Sequence, residues 1–132
     1  MSPAQSEIVS GAPSSATQPT LDSSRLADWR ARSQHSAPNF VCELIDGFLN
    51  DTTTQIAILQ RAITAGDSAA CHFSAHRLKS SCYLVGALRL VLLFEELDLL
   101  AKHGAVAFLG SQFEEIKAEY GRLELALQEE RY

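Results

Sequence analysis

Positive charge is what this sequence has little of. Eleven lysines and arginines stand against sixteen aspartates and glutamates, a formal net charge of −5 at neutral pH. The eleven are scattered, with no run of like charge. Nucleic acids and anionic membrane surfaces both bind through basic patches, so neither is expected as a partner. Long apolar runs are missing too: no stretch approaches the ~20 residues of a transmembrane helix. The N-terminus has neither the basic start nor the apolar block of a secretory signal, so a cytoplasmic protein is expected. Cysteine is sparse. Cys42, Cys71 and Cys82 are an odd number, at spacings that suit neither a disulfide framework nor a Cys-X-X-Cys site. Each sits among apolar residues at helical spacing, which predicts buried free thiols in a reducing compartment.

What is present fits one domain. The chain has 132 residues, 46% of them apolar, enough for one hydrophobic core. "MSPAQSEIVSGAPSSATQPT" is rich in Ser, Pro, Ala and Thr and poor in large apolar residues. It cannot bury enough surface to offset its ordering entropy, so residues 1–20 are expected to be a disordered tail or linker ahead of a bundle spanning 21–132.

From Leu21 onward the pattern is helical. Asp22, Ser23 and Ser24 offer N-caps for a short helix carrying Leu26 and Trp29. Pro38 suits the first turn of a second helix with Val41, Leu44, Ile45, Phe48 and Leu49 on its apolar face. "NDTTTQ" predicts a break or kink, with Asp51 as a new cap, before Ile56, Leu59 and Ile63 carry the face on to a C-cap at Gly66. Asp67 caps the next helix, which runs to about Val85. "GALRLVLLFEELDLLAKHG" follows, ending at Gly104. The last helix carries Leu109, Phe113, Ile116, Tyr120, Leu123 and Leu127, whose alternating steps of four and three mark a bundle seam. No segment alternates with period two between turn signals, so strands are not expected. Helices of similar length joined by short Gly-containing connections predict an all-α fold: an antiparallel, up-and-down four-helix bundle with an additional short N-terminal helix.

The stretch "CHFSAHRLKSSCYLVG" (71–86) is where chemistry concentrates. At about 100° per residue, Ala75, Leu78, Cys82 and Val85 fall within roughly 40° of Cys71 and form the core stripe. His76 lies roughly 140° away, close to His72, Tyr83 and Ser80, with Lys79 between it and the stripe. His76 is therefore displayed rather than packed.

Three roles remain open for it. The first is a solvated residue without a task. The second is half of a metal pair with His72, four residues earlier; two ligands do not make a site, Cys71 and Cys82 point to the core, and no third ligand has motif spacing, so no metal or other cofactor is expected. The third is a nucleophile. Neutral imidazole attacks a phosphoryl group, and Lys79, one turn along, supplies a point charge for the product and disfavours the imidazolium beforehand. Such a pair receives and passes a phosphoryl group. It is not a nucleotide site, since there is no Gly-rich phosphate loop and no carboxylate cluster for Mg²⁺.

"AHRLKSSCYLVGA" resembles the signature of histidine-containing phosphotransfer (HPt) domains, A-H-x-L-K-G-[SA]-[SA] followed by an apolar stretch and G-A. Ala75, His76, Leu78, Lys79, Ser81, Gly86 and Ala87 match in place. Upstream, "LQRAITAGDSAACHFSAH" is similar to the family's approach helix and Gly-Asp turn; downstream, Leu90, Leu97 and "LLAKHG" resemble the helix after the site. The resemblance runs from about Asn39 to Leu127. It implies a helical bundle acting as a phosphorelay intermediate, a phosphocarrier rather than an enzyme. His76 would take a phosphoryl group from the aspartate of a receiver domain, in a hybrid sensor kinase or response regulator, and pass it to another. Lys79 would be its charge partner, and Ser80, Tyr83, His72, Phe73 and Arg77 the receiver-docking face. Ser80 departs from the pattern, which has glycine four residues after the histidine. That departure leaves an alternative: a helical interaction module that docks a receiver or other partner without transferring phosphate. Phe73 and Leu84 carry two expectations, either packing under the N-terminal helix with Leu26 and Trp29 or forming an apolar docking patch.

Overall fold

The structure, a computed structural model, describes residues 18–131, and every regular element among them is helical. Most of the expected tail, residues 1–17, lies outside the described residues. Five α-helices follow in order: α1 (Ser23–Ser33), α2 (Phe40–Ala65), α3 (Ser68–Val85), α4 (Leu88–Lys102) and α5 (Leu109–Glu130), with a 3-10 turn at Val106–Phe108. None of them is long and apolar enough to cross a membrane.

The caps explain where the helices stop. Asp22 accepts a hydrogen bond from the Ser24 amide at the start of α1, and Asp67 accepts one from the Ala70 amide at the start of α3. Gly66 takes the left-handed conformation at φ 68°, and its amide and that of Asp67 close on the last carbonyls of α2. Gly86 does the same for α3 at φ 85°, with a second constraint. A side chain there would begin 2.5 Å from the Asp22 carbonyl oxygen, which no Cβ tolerates. The chain entering α1 lies against this turn, the Asp22 amide donating to the Gly86 carbonyl at 2.8 Å.

The predicted kink at "NDTTTQ" is absent, and α2 runs unbroken through it. Asp51, expected as a new cap, lies inside α2, and Thr53 and Thr54 after it bond within the helix. Their hydroxyls donate to the carbonyls four residues back, Leu49 and Asn50, a satisfaction available inside a helix. Thr52 is buried, and Thr53 also meets the Tyr120 hydroxyl of α5. The second helix also starts two residues later than Pro38 suggests, at Phe40.

The core is one cluster fed by every α-helix: Leu26 of α1, Ile45 and Leu59 of α2, Leu78 and Val85 of α3, Phe94 and Leu97 of α4, Ile116 and Leu123 of α5. Helix α3 packs on α2 and α4, and α5 on α4 and α2, while α1 lies across α2 and α3. Tyr120, in the middle of the α5 seam, is half-buried and donates to the Leu49 carbonyl. Among the described residues, one charged group is buried outright. Glu119 of α5 is fully enclosed and accepts from Arg122 at 2.9 Å and from Arg89 of α4 at 3.4 Å. Arg89 also donates from Nε to the Gln18 carbonyl and from its amide to the Pro19 carbonyl, so residues 18 and 19 lie on the α3–α4 turn.

Candidate functional site

Helix α3 is central to the fold, and its outward strip carries the candidate residues. Cys71, Ala75, Leu78, Cys82 and Val85 are buried to within 1% of full enclosure, the stripe predicted by the helical period. With those five fixed inward, His76 must point out, and it is exposed. Burial pushes the Cys82 thiol up to about 12 and raises that of Cys71 as well, with the Asp67 carboxylate adding to the latter. Both therefore stay protonated at neutral pH and are neither ligands nor nucleophiles. Cys42 departs from the expected burial. It is only half-buried, and its thiol donates to the Arg131 carbonyl at 3.2 Å.

The two sides of the strip differ. Toward α4, His72 bonds through Nδ1 to the Asp98 carboxylate, which also pairs with Lys102 at 3.7 Å. Lys79 pairs with Glu95 of α4 at 3.5 Å. The rings of His72 and His76 stack, with centroids 6.2 Å apart and planes 29° from parallel. Both neighbours of His76 on this side, His72 and Lys79, are thus tied to a carboxylate of α4. Among the described residues, no group of three or more His, Cys, Asp or Glu is arranged to hold a metal ion.

Toward α2, the strip is apolar and open. Phe73 is 68% exposed and Leu84 48%, so packing under the N-terminal helix is not what these side chains do. Helix α1 reaches the backbone there: the Trp29 indole donates to the Leu84 carbonyl at 3.0 Å, while its ring packs at a tilt against Phe40. Arg77 is exposed on this side. Beside it a groove of about 440 Å³ runs between α2 and α3, with Leu44, Gly47 and Phe48 on one wall and Ser81 and Leu84 on the other.

Between the two sides, Tyr83 and Ser80 flank His76 along the helix, both exposed. The Ser80 hydroxyl folds back to the His76 carbonyl at 3.3 Å, satisfied within its own helix. Every candidate therefore lies on one strip of α3, with Lys79 and His72 on one edge and Phe73 and Arg77 on the other. The partners on α4, Glu95 and Asp98, were not among the residues expected at the site. "LLFEELDLLAKHG" shows acidic residues in an apolar helix, a signal that they need a cationic partner, but not which one.

A phosphocarrier of the histidine type needs this combination of an accessible imidazole, a nearby cation and an approach surface on a rigid helix. The Hpt domain family profile matches residues 43–126, and the chain belongs to the Hpt domain family. Its role is accordingly that of a histidine phosphotransfer component of two-component signalling, in a family whose members are phosphocarriers that interact with receiver domains. Among solved structures the chain is similar to histidine-containing phosphotransfer protein B from Pseudomonas aeruginosa PAO1. The two are 26% identical over 86% of this chain and 95% of that one, with a TM-score of 0.77. No curated protein matches the chain.

Proposed function

We propose that His76 is the residue phosphorylated in this chain and that it relays a phosphoryl group between receiver domains, one of them in a hybrid sensor kinase or response regulator. The observation that carries this is its position: an exposed imidazole in the family motif, on a helix whose opposite face is locked into the core. A ring nitrogen of neutral His76 attacks the phosphorus of an aspartyl phosphate. A P–N bond forms, the P–O bond to the aspartate breaks, and the aspartate leaves as a carboxylate. The imidazole proton passes to solvent. The reverse sequence on a second receiver returns the histidine to its starting state.

Lys79 serves as the charge partner. Its ammonium sits one turn from His76 and is held by a carboxylate of α4, Glu95, at the long distance of 3.5 Å, an ion pair weak enough for a phosphoryl dianion to share. Docking falls on the α3 strip, over Ser80, Tyr83, Phe73 and Arg77 with His72 at the edge. The four longer helices form the antiparallel up-and-down bundle that supports the strip, α1 covers one end, and the phosphocarrier unit spans residues 21–132. The chain needs no nucleotide site of its own, since Mg²⁺ and the acid chemistry reside in receivers, and we assign it to the cytoplasm.

The test is incubation with a phosphorylated receiver domain, followed by an acid-lability assay of the label acquired. Acid-labile label in the parent and none in His76→Gln is the expected result. Receiver binding without any label in the parent supports the interaction module that Ser80, in place of the family's glycine, leaves as the alternative.

A further inference from the structure

His72 lies outside the family motif, yet it is the side chain most closely organised around His76. Its Nδ1 is bonded to Asp98, whose carboxylate is largely buried and also tied to Lys102. That bond fixes the ring from the α4 side, and the His76 ring stacks on the face so presented. An exposed imidazole without a neighbour rotates freely about its terminal torsion, which is broad and roughly two-fold. Each half-turn exchanges the nitrogen offered to an incoming phosphorus. A fixed ring at stacking distance removes that freedom on one side.

We propose that His72, clamped by Asp98, is a positioning residue that holds the His76 ring so that a single nitrogen receives the phosphoryl group. This deepens the reading of His76 as the phosphorylated residue and rests on it. Asp98 acts at second hand, through His72, and makes no contact with the reacting atoms. Orientation of this kind raises the fraction of encounters with aligned orbitals and leaves the affinity for a donor unchanged.

The charged surroundings bear on the clamp from one side. From α4 the groups near His72 are Asp98, Lys102 through Asp98, and Glu95 with Lys79. The charged residues of α2 that border α3, Glu43 and Asp51, line the groove on the other flank, and Asp22 and Arg25 of the α1 entry lie at the Gly86 turn. The aspartate is thus the group that sets the ring.

The test uses phosphoramidate as a small phosphoryl donor, so that docking plays no part, and resolves the two ring isomers of phosphohistidine by ³¹P and ¹⁵N nuclear magnetic resonance. The parent is expected to form one isomer at His76 by about tenfold or more over the other. Asp98→Ala and His72→Ala should form mixtures, with an initial rate several-fold lower and complete labelling at the endpoint. Asp98→Asn keeps an acceptor for the Nδ1 proton and should retain the single isomer. His72→Phe keeps the packing without the bond, and should behave like Asp98→Ala. Unchanged isomer ratios and rates in Asp98→Ala, His72→Ala and His72→Phe would overturn the positioning role while His76 still takes label. A parent with no label at His76 removes the phosphocarrier reading and this inference together.

Discussion

The two edges of the α3 strip carry opposite chemistry on one helix. Toward α4, each polar side chain is matched to a carboxylate of the neighbouring helix, His72 to Asp98 and Lys79 to Glu95. Toward α2, large apolar side chains face solvent above an open groove. The first edge is internally satisfied and places charge and geometry around His76. The second has unspent apolar area, which is what a binding surface offers. On the reading proposed above, the two demands on a small phosphocarrier fall on separate edges, the α4 edge facing the phosphoryl group and the α2 edge the partner.

Substitutions on each edge test that division. The largest effect belongs to the ring between the edges: His76→Gln should abolish acid-labile labelling with an unchanged helical circular dichroism spectrum, because the side chain contributes nothing to the core. Next is Ser80→Arg, which should block transfer from a receiver while phosphoramidate still labels His76, since only a bulky partner is excluded. If the receiver transfers as well to Ser80→Arg as to the parent, the partner does not approach along this line. Third is Phe73→Ala on the α2 edge. A docking residue at the centre of an interface contributes more than about 1 kcal/mol, so receiver affinity should fall by roughly tenfold. The melting temperature should stay put, because the ring is two-thirds exposed in the free protein. A large loss of thermal stability would show instead that the ring packs.

Lys79→Ala on the α4 edge should have a smaller effect. A long, partly solvated ion pair contributes about 0–1 kcal/mol, which translates to a few-fold in transfer rate and in the lifetime of the phosphorylated form. A salt titration distinguishes the charge role: parent and variant should converge as ionic strength rises. The smallest effect is that of Ser80→Gly. Chemical denaturation should show a loss of roughly 0.5–1 kcal/mol, the cost of glycine inside a helix. Transfer should be equal or faster, the side chain beside His76 having been removed.

The features legible in the sequence share one property: they depend on residues near one another in the chain. The α3 core stripe, the caps at Asp22, Asp67 and Gly66, and the exposure of His76 all follow from helical periodicity or from local backbone demands. The kink expected in α2 failed where local evidence was ambiguous. Asp51 in "NDTTTQ" reads as a new cap, but the helix runs through it, and Thr53 bonds backward within the helix and outward to Tyr120, 67 positions away. The pairings around the site were beyond reach for a similar reason. Asp98 is 26 positions from His72 and Glu95 is 16 from Lys79, so which acid serves which cation depends on the register of α3 against α4. The enclosed Glu119 is a further case. In the sequence it resembles any acid in a surface helix, and only the fold brings Arg89 to it from α4.

The Gly86 turn has a consequence in motion as well as in shape. Helix α1 contributes one buried side chain, Leu26, and its entry and body are tied to the end of α3 by the Asp22 amide and the Trp29 indole. Detaching it exposes little apolar surface compared with disrupting the packing of α2 through α5, so α1 forms a cooperative unit of lower stability than the rest. Hydrogen exchange should then fall into two tiers. The Asp22 amide, whose only protection is the Gly86 carbonyl, exchanges at the rate of α1 opening, while the amides of the buried α3 stripe wait for the whole bundle. His76 sits about ten residues, or roughly 15 Å of helix, from that turn. Its scaffold should therefore keep its order through each opening of the first helix.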